Sequence, residues 1–229
     1  MPHHFFIAGT DTEIGKTFVS IGLLKSAASK GLATLALKPI AAGCEPGEQG
    51  LCNGDALALK SAMTTDLPYK QVNPVALAPA IAPHIALAQN HRTLTAQSLA
   101  QRCAPIINEY KQHFIVVEGA GGWRVPLNDT ETLAALPKHL NLPVVLVVGL
   151  RLGCISHALL TVEAIYADGL AIAGWVANTI DPDMPVMHEN IASLRTRISA
   201  PFLGHIPFLT NASRIDASQY LDIDKLLEK

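Results

Sequence analysis

Nine residues near the N-terminus, GTDTEIGKT (Gly9 to Thr17), lie between a short apolar run, Phe5 to Ala8, and a stretch with helical periodicity. A glycine turn that leaves a strand and opens a helix points consecutive backbone N–H groups at an anion. The partial positive charge of the helix N-terminus adds to them. Lys16 supplies a mobile cation and the Thr17 hydroxyl a magnesium ligand, so the segment predicts a nucleoside triphosphate site. The common pattern has glycine or alanine five residues before Gly15. Here Thr10 stands in that place and Gly9 one position earlier, which makes the loop one residue longer.

Short β-branched and apolar runs recur along the chain: Phe5 to Ala8, Thr34 to Lys38, Phe114 to Glu118, Val144 to Gly149, Ile172 to Asn178 and Phe202 to Pro207. Helical patterns separate them. One runs from about Lys16 to Lys30, with Phe18, Ile21, Leu24 and Ala28 on its apolar face and Gly31 as its stop. Another spans Ala96 to Gln112 with Thr95 as cap, and a third runs from Cys154 to Asp168, ended by Gly169. That rhythm predicts an α/β fold of the P-loop NTPase type, a mostly parallel sheet with helices on both faces. Ala41 to Pro83 is rich in glycine and proline around one helical piece near Asp55, and reads as a long substrate-bearing loop. No linker or repeat interrupts the pattern, so residues 1–229 are expected to form a single domain.

Composition narrows the function. The 49% hydrophobic content supplies a large core, and a formal charge of −2 with scattered Lys and Arg offers nothing to a nucleic acid. No apolar run is long enough to span a membrane and the N-terminus lacks the layout of a secretion signal, so a soluble cytoplasmic protein is expected. Cys44, Cys52, Cys103 and Cys154 show no metal-ligand spacing, and reduced thiols are the expectation. His3 and His4 point to opposite faces of a strand and read as a surface pair.

Ligands of open α/β sheets collect at the carboxyl ends of the strands, which gives weight to the polar residues there. Lys38 closes an apolar strand immediately before Pro39, beside the glycine-rich stretch. Glu118 leaves the strand IVVE straight into Gly119, Ala120 and Gly121, where a magnesium-binding acid belongs in a phosphate-loop protein. Asp55 follows Asn53 and Gly54 as either a helix cap or a first-turn acid, or a site residue. Asn178, which ends WVAN, offers one donor and one acceptor to an adenine edge, or shapes the turn before Asp181. Gly153, Cys154 and Ser156 open a helix and form a candidate anion site, or an ordinary helix start.

GTDTEIGKT, LKPIAAG, NGDALAL, VVEGAGGW, LGCISH, GWVAN and LGHIP, in this order and spacing, resemble the dethiobiotin synthetase family from about Phe5 to Leu209. The resemblance implies an ATP-dependent ligase of biotin synthesis. It would carboxylate 7,8-diaminopelargonic acid with carbon dioxide, phosphorylate the carbamate to a carbamic-phosphoric anhydride, and close the ureido ring with release of ADP and phosphate. By the same resemblance Glu13, Ile14, Gly15, Lys16, Thr17 and Phe18 wrap the triphosphate, and Thr17, Asp55 and Glu118 hold magnesium. Lys38 and Lys16 are the catalytic cations, and Glu118, Gly119, Ala120 and Gly121 face the γ-phosphate. Asn178 and Thr179 contact adenine, and Pro207, Phe208 and Leu209 border the base. Lys38, Ala42, Gly153, Cys154 and Ser156 contact the diamine substrate, its tail carboxylate being shared across a homodimer. The chain departs from the pattern at Ala42, where a hydroxyl is usual, at Ser156, in place of an asparagine, and at Arg214, where an acid is expected.

Two rivals use the same loop. A glutamine-fed amidoligase normally carries a further glutaminase domain, for which 229 residues leave little room. A nucleotide-dependent switch ATPase would show a second loop lysine near Asp11, where this chain has none, and a GTPase would show Asn-Lys-x-Asp for guanine, where ANTID lacks the lysine.

Overall fold

Runs such as Val144 to Leu150 (VVLVVGL) alternate nothing and bury every side chain, the signature of a strand covered on both faces. The computed structural model describes residues 3–48, 50–209 and 216–228. In chain order it contains β1 (His3–Gly9), α1 (Lys16–Ser29), β2 (Thr34–Leu37), β3 (Ile40–Ala41), β4 (Glu45–Gly47), β5 (Gly50–Cys52), α2 (Gly54–Ala62), α3 (Tyr69–Val72), β6 (Val75–Ala76) and α4 (Pro83–Gln89). There follow α5 (Ala96–Glu109), β7 (Phe114–Glu118), α6 (Ala135–Leu140), β8 (Val144–Leu150), α7 (Cys154–Ala167), β9 (Ile172–Thr179), α8 (Met187–Arg197), β10 (Phe202–Ile206), a 3₁₀ turn (Ala217–Tyr220) and α9 (Asp224–Leu227).

The main sheet has the order β10-β9-β8-β1-β7-β2, with every pairing parallel. From β1 the chain crosses to β2 on one side and later returns to β8 on the other. The loop after β1 therefore sits where the winding direction reverses, the crevice in which open sheets bind ligands. Both layers of helices close over one contiguous hydrophobic cluster that includes Ile7, Leu35, Phe114, Val145, Leu146 and Trp175. No helix among the described residues is long and apolar enough to cross a membrane.

Four expectations change. The side of α1 that is fully buried carries Val19, Leu23, Leu24 and Ala27, while Phe18, Ile21 and Ala28 are only half-buried. The helix packs on β7, on α2 and on the C-terminal 3₁₀ turn at once, so its apolar arc is rotated and wider than a single stripe. His4 is not at the surface: it lies under the sheet's helical cover with Nε2 3.1 Å from the Lys111 carbonyl, and burial pushes its pKa down. Ala41 to Pro83 is built rather than loose. It holds the expected helical piece as α2, and with it the β4–β5 hairpin, a β3–β6 ladder and α3, which are too short to imprint a clear period on the sequence. Helix α5 passes Pro105 and ends at Glu109, three residues before the expected stop.

Candidate functional site

The phosphate loop is shaped by what lies beneath it. Ile14 is fully buried and wedges between two glycines: a Cβ on Gly9 would stand 2.8 Å from its Cδ1, and one on Gly149 2.5 Å from its Cγ2. Only residues without a side chain leave room for this wedge. Gly15 takes φ +86°, and the Asn178 amide presses against it, 2.3 Å from where a Cβ would be. That amide donates to the Ile14 carbonyl at 2.8 Å, so the end of β9 braces the loop from behind. Glu13, also at positive φ, is exposed on the loop's outer turn. The Lys16 ammonium folds inward and donates to the Asp11 carbonyl at 2.8 Å. Burial, and after it the neighbouring Lys38, lower its pKa to about 8.

At the ends of β2 and β7 a charged cluster is buried. Lys38, 4% exposed, donates to Glu118 Oε1 at 2.6 Å and to the Gly119 carbonyl at 3.0 Å, and lies 3.5 Å from Asp55 Oδ2. The Glu118 side chain is completely enclosed. Its two oxygens also accept hydrogen bonds from Thr17 (Oε1) and Ser20 (Oε2), each at 2.8 Å. Burial works to lower the Lys38 pKa, but Glu118 and then Asp55 outweigh it and hold the ammonium above its ordinary range. Asn53 caps α2, accepting from the Ala56 N–H, which places Asp55 in the first turn rather than at the cap. Lys38 is therefore no solvated charge at the edge of the sheet. Although β2 is an edge strand, α2 and α3 pack against it.

These groups share one cleft of about 950 Å³. Glu13, Gly15, Lys16, Thr17, Phe18, Lys38, Ala42, Asp55, Glu118, Ala120 and Gly121 all line it, so the two cations and two acids expected to converge do lie together. Pro83 closes the wall with its neighbours Ala80, Ile81 and Ala82, and Arg124, Val125 and Pro126 form a further wall that the sequence did not disclose. Pro207, Phe208 and Leu209 follow β10, outside this lining, with the Phe208 side chain exposed. Thr179 turns its hydroxyl to His205 Nε2 at 2.8 Å and to the Met187 sulfur at 3.2 Å. Gly153, Cys154 and Ser156 do not reach the cleft. Gly153 caps α7 at φ +93°, Cys154 is buried and Ser156 exposed. Arg214 lies outside the described residues.

Ser20, Asp11 and Arg151 escaped the sequence reading. Ser20 has no motif to announce it, lying inside a helix as any core serine does. Arg151 pairs with the loop's Asp11 at 2.8 Å across the β1–β8 junction, a partnership visible only in three dimensions. All four cysteines are free thiols, and no set of three metal-ligating acids, histidines or cysteines is grouped among the described residues.

A family model described as an AAA domain matches residues 3–215. The chain is 60% identical to the ATP-dependent dethiobiotin synthetase BioD of Cellvibrio japonicus, over 98% of this chain and 97% of that one. It is 53% identical to the protein of the same name from Pseudomonas aeruginosa strain PAO1, over 97% of both. Among solved structures, the MinC:MinD cell division complex of Aquifex aeolicus superposes with a TM-score of 0.59 at 15% identity, covering 99% of this chain and 94% of that one. That likeness shows the phosphate-loop NTPase fold alone. With glycine loop, buried lysine and carboxylates in a single cleft, and with identity of this depth over nearly its whole length, the chain belongs to the ATP-dependent dethiobiotin synthetase family.

Proposed function

We propose that this chain, as one catalytic domain over residues 1–229, converts 7,8-diaminopelargonate, carbon dioxide and ATP into dethiobiotin, ADP and phosphate. The observation that carries the reading is Lys38, buried between Glu118 and Asp55 at the mouth of the phosphate loop. A switch ATPase needs no such ammonium facing the space beyond its phosphates, and a synthetase does.

Phosphoryl transfer asks the protein mainly for positioning and charge neutralisation. In this reading the N–H groups of residues 13–18 cradle the triphosphate, and Glu118, Gly119, Ala120 and Gly121 line its γ-phosphate side. Lys16 leaves the Asp11 carbonyl to meet its oxygens, an exchange favoured because the phosphates answer the charge that burial disfavours. Lys38 has two tasks. Its ammonium makes a neighbouring substrate amine easier to deprotonate, and the neutral amine attacks carbon dioxide. It then stabilises the carbamate oxygens as they take the γ-phosphoryl group, after which the second amine attacks the anhydride carbon and expels phosphate. Asn178 and Thr179, with Pro207 to Leu209, would hold adenine.

The donor set suits magnesium. Thr17 offers a hydroxyl and Asp55 and Glu118 offer carboxylates, hard oxygens too few to cage calcium but suited to an ion that shares its shell with phosphates and water. Magnesium so held would supply charge neutralisation between the phosphates.

The tail carboxylate of the substrate would reach Gly153, Cys154 and Ser156 of a second copy, since these residues lie away from the cleft of their own chain. Exposed Leu152, Leu160, Tyr166 and Val186, on and beside α7, give a homodimer apolar surface to cover. A cytoplasmic location fits the free thiols. Mass spectrometry of a reaction containing the diamine, bicarbonate, magnesium and ATP tests the proposal. Dethiobiotin and diamine-dependent ADP are expected, and ADP release indifferent to the diamine would overturn it. A fully active monomer in light scattering would remove the shared tail site.

A further inference from the structure

Lys38 and Asp55 belong to different segments: the lysine follows an edge strand and the aspartate rides the first turn of a nine-residue helix. Neither segment alone holds its acid or base at a fixed separation. Behind them lies a buried polar relay whose middle members, Tyr69 and Asn73, stand outside the cleft lining. The Tyr69 hydroxyl, at the start of α3, accepts from the Asn53 backbone N–H at 2.7 Å and donates to Asn73 Oδ1 at 3.1 Å. The Asn73 amide in turn donates to the Lys38 carbonyl at 2.6 Å and reaches the Val75 carbonyl at 3.4 Å. The Lys38 N–H is itself held by the Val72 carbonyl at 2.7 Å. On the other side, Asn53 caps α2 through its side-chain oxygen and ties down the Ala42 carbonyl through its amide at 3.1 Å.

We propose that Tyr69 and Asn73 are positioning residues for the ring-closing reaction, a brace that sets the Lys38–Asp55 separation by joining the backbone of one to the helix cap of the other. The inference rests on the function proposed above. Tyr69 and Asn73 are each 3% exposed, so both hydrogen bonds run through a water-excluded interior where an unmade bond is costly. Burial pushes the phenol pKa up, and the hydroxyl remains a donor across the working pH range. Tyr69 accepts on one side and donates on the other, so one oxygen atom spans the gap that no backbone ladder bridges. The same brace holds Ala42, through Asn53, on the cleft wall. One relay therefore fixes three site positions on three segments.

The test uses Tyr69→Phe, which keeps the ring and deletes the spanning oxygen, together with Asn73→Ala, which leaves the Tyr69 bond to Asn53 intact. For each variant two quantities are read: steady-state dethiobiotin formation, and the rate at which a lysine acylating reagent labels Lys38 in the nucleotide-free protein, by peptide mass spectrometry with Lys60 as internal reference. A fall in kcat of about tenfold is expected with KM for ATP within about twofold, the size set by one buried hydrogen bond acting on the transition state. Lys38 labelling should rise about threefold or more as the ammonium loosens from its carboxylates. A kcat within twofold of wild type, or a lower kcat with unchanged Lys38 labelling, overturns the brace; the second pattern marks a role in folding alone. If Tyr69→Phe fails to fold by circular dichroism, Asn73→Ala is judged by the same two criteria. Faster Lys38 labelling in the variants of a wild-type protein that makes no dethiobiotin would uphold the brace and sink the proposed function, so the two failures are told apart.

Discussion

Replacing Lys38 by methionine isolates the charge from the packing. Methionine keeps the unbranched chain and most of the apolar volume, so little cavity forms, and the change falls on the buried ion pair. Removing one partner of such a pair costs about 3 to 5 kcal/mol, because the other charge stays behind without compensation. Glu118 is wholly enclosed but keeps two hydroxyl donors, Thr17 and Ser20, which places the loss near the lower end, about 3 kcal/mol. Asp55 adds little to this figure, since half of its side chain is in solvent. For a chain of this size 1 kcal/mol moves the melting temperature by about 2 to 4 °C, so the variant should melt roughly 6 to 12 °C lower. The double variant Lys38→Met, Glu118→Gln removes both charges and should recover about half of the loss. Calorimetric melting of the three proteins at pH 7 reads these values, and a nucleotide-binding titration with a product assay completes the set. Lys38→Met should make no dethiobiotin while binding ATP within a few-fold of wild type. A melting temperature within about 2 °C of wild type, or a double variant no more stable than the single one, would refute the account of a buried, mutually compensating pair. Undiminished turnover would refute the catalytic assignment.

Three further outcomes follow from the geometry. Lys16 has a folded pKa of about 8 against an ordinary 10.5, so between those values the unfolded chain holds more proton and this group's contribution to stability rises with pH, being least favourable below pH 8. A melting profile across that window should lose part of its slope in Lys16→Met, and an identical slope would contradict the burial argument. Gly15→Ala forces a side chain into left-handed backbone and onto the Asn178 amide, and should weaken binding of a fluorescent ATP analogue by about tenfold or more; unaltered affinity would show that the loop tolerates the collision. Asp168 accepts from the Trp123 indole at 2.8 Å and pairs with Arg124 at 2.7 Å, so Asp168→Ala frees the cleft wall formed by residues 124–126. The diamine KM should rise about fivefold with the ATP KM unchanged, and Trp123 fluorescence should shift; equal change in both KM values would place the effect elsewhere.

The strands of the main sheet were legible because they are short and apolar, with β2, β7, β8 and β9 buried along their whole length, a local property of the chain. β7, for example, spans Phe114 to Glu118 as the sequence predicts. Helices α4, α6 and α8 went unread. α8 carries so many polar residues that only Ile191 and Leu194 are buried, which leaves no stripe to recognise, and α4 and α6 are too short to establish a period. The same limit explains the misplaced face of α1, whose orientation depends on what packs against it.

By itself the sequence determined the phosphate loop, the parallel α/β order and the residues that stand at the strand ends, because glycine spacing and hydrophobic period act over a few residues at a time. Tertiary structure alone decided that Ser20 and Lys38 meet Glu118 across 98 and 80 positions of chain, and that Tyr69 joins the backbone of Lys38 to the cap of Asp55. Those partnerships are set by which strands neighbour each other and by the need to satisfy buried polar groups, constraints that exist only once the chain has closed on itself.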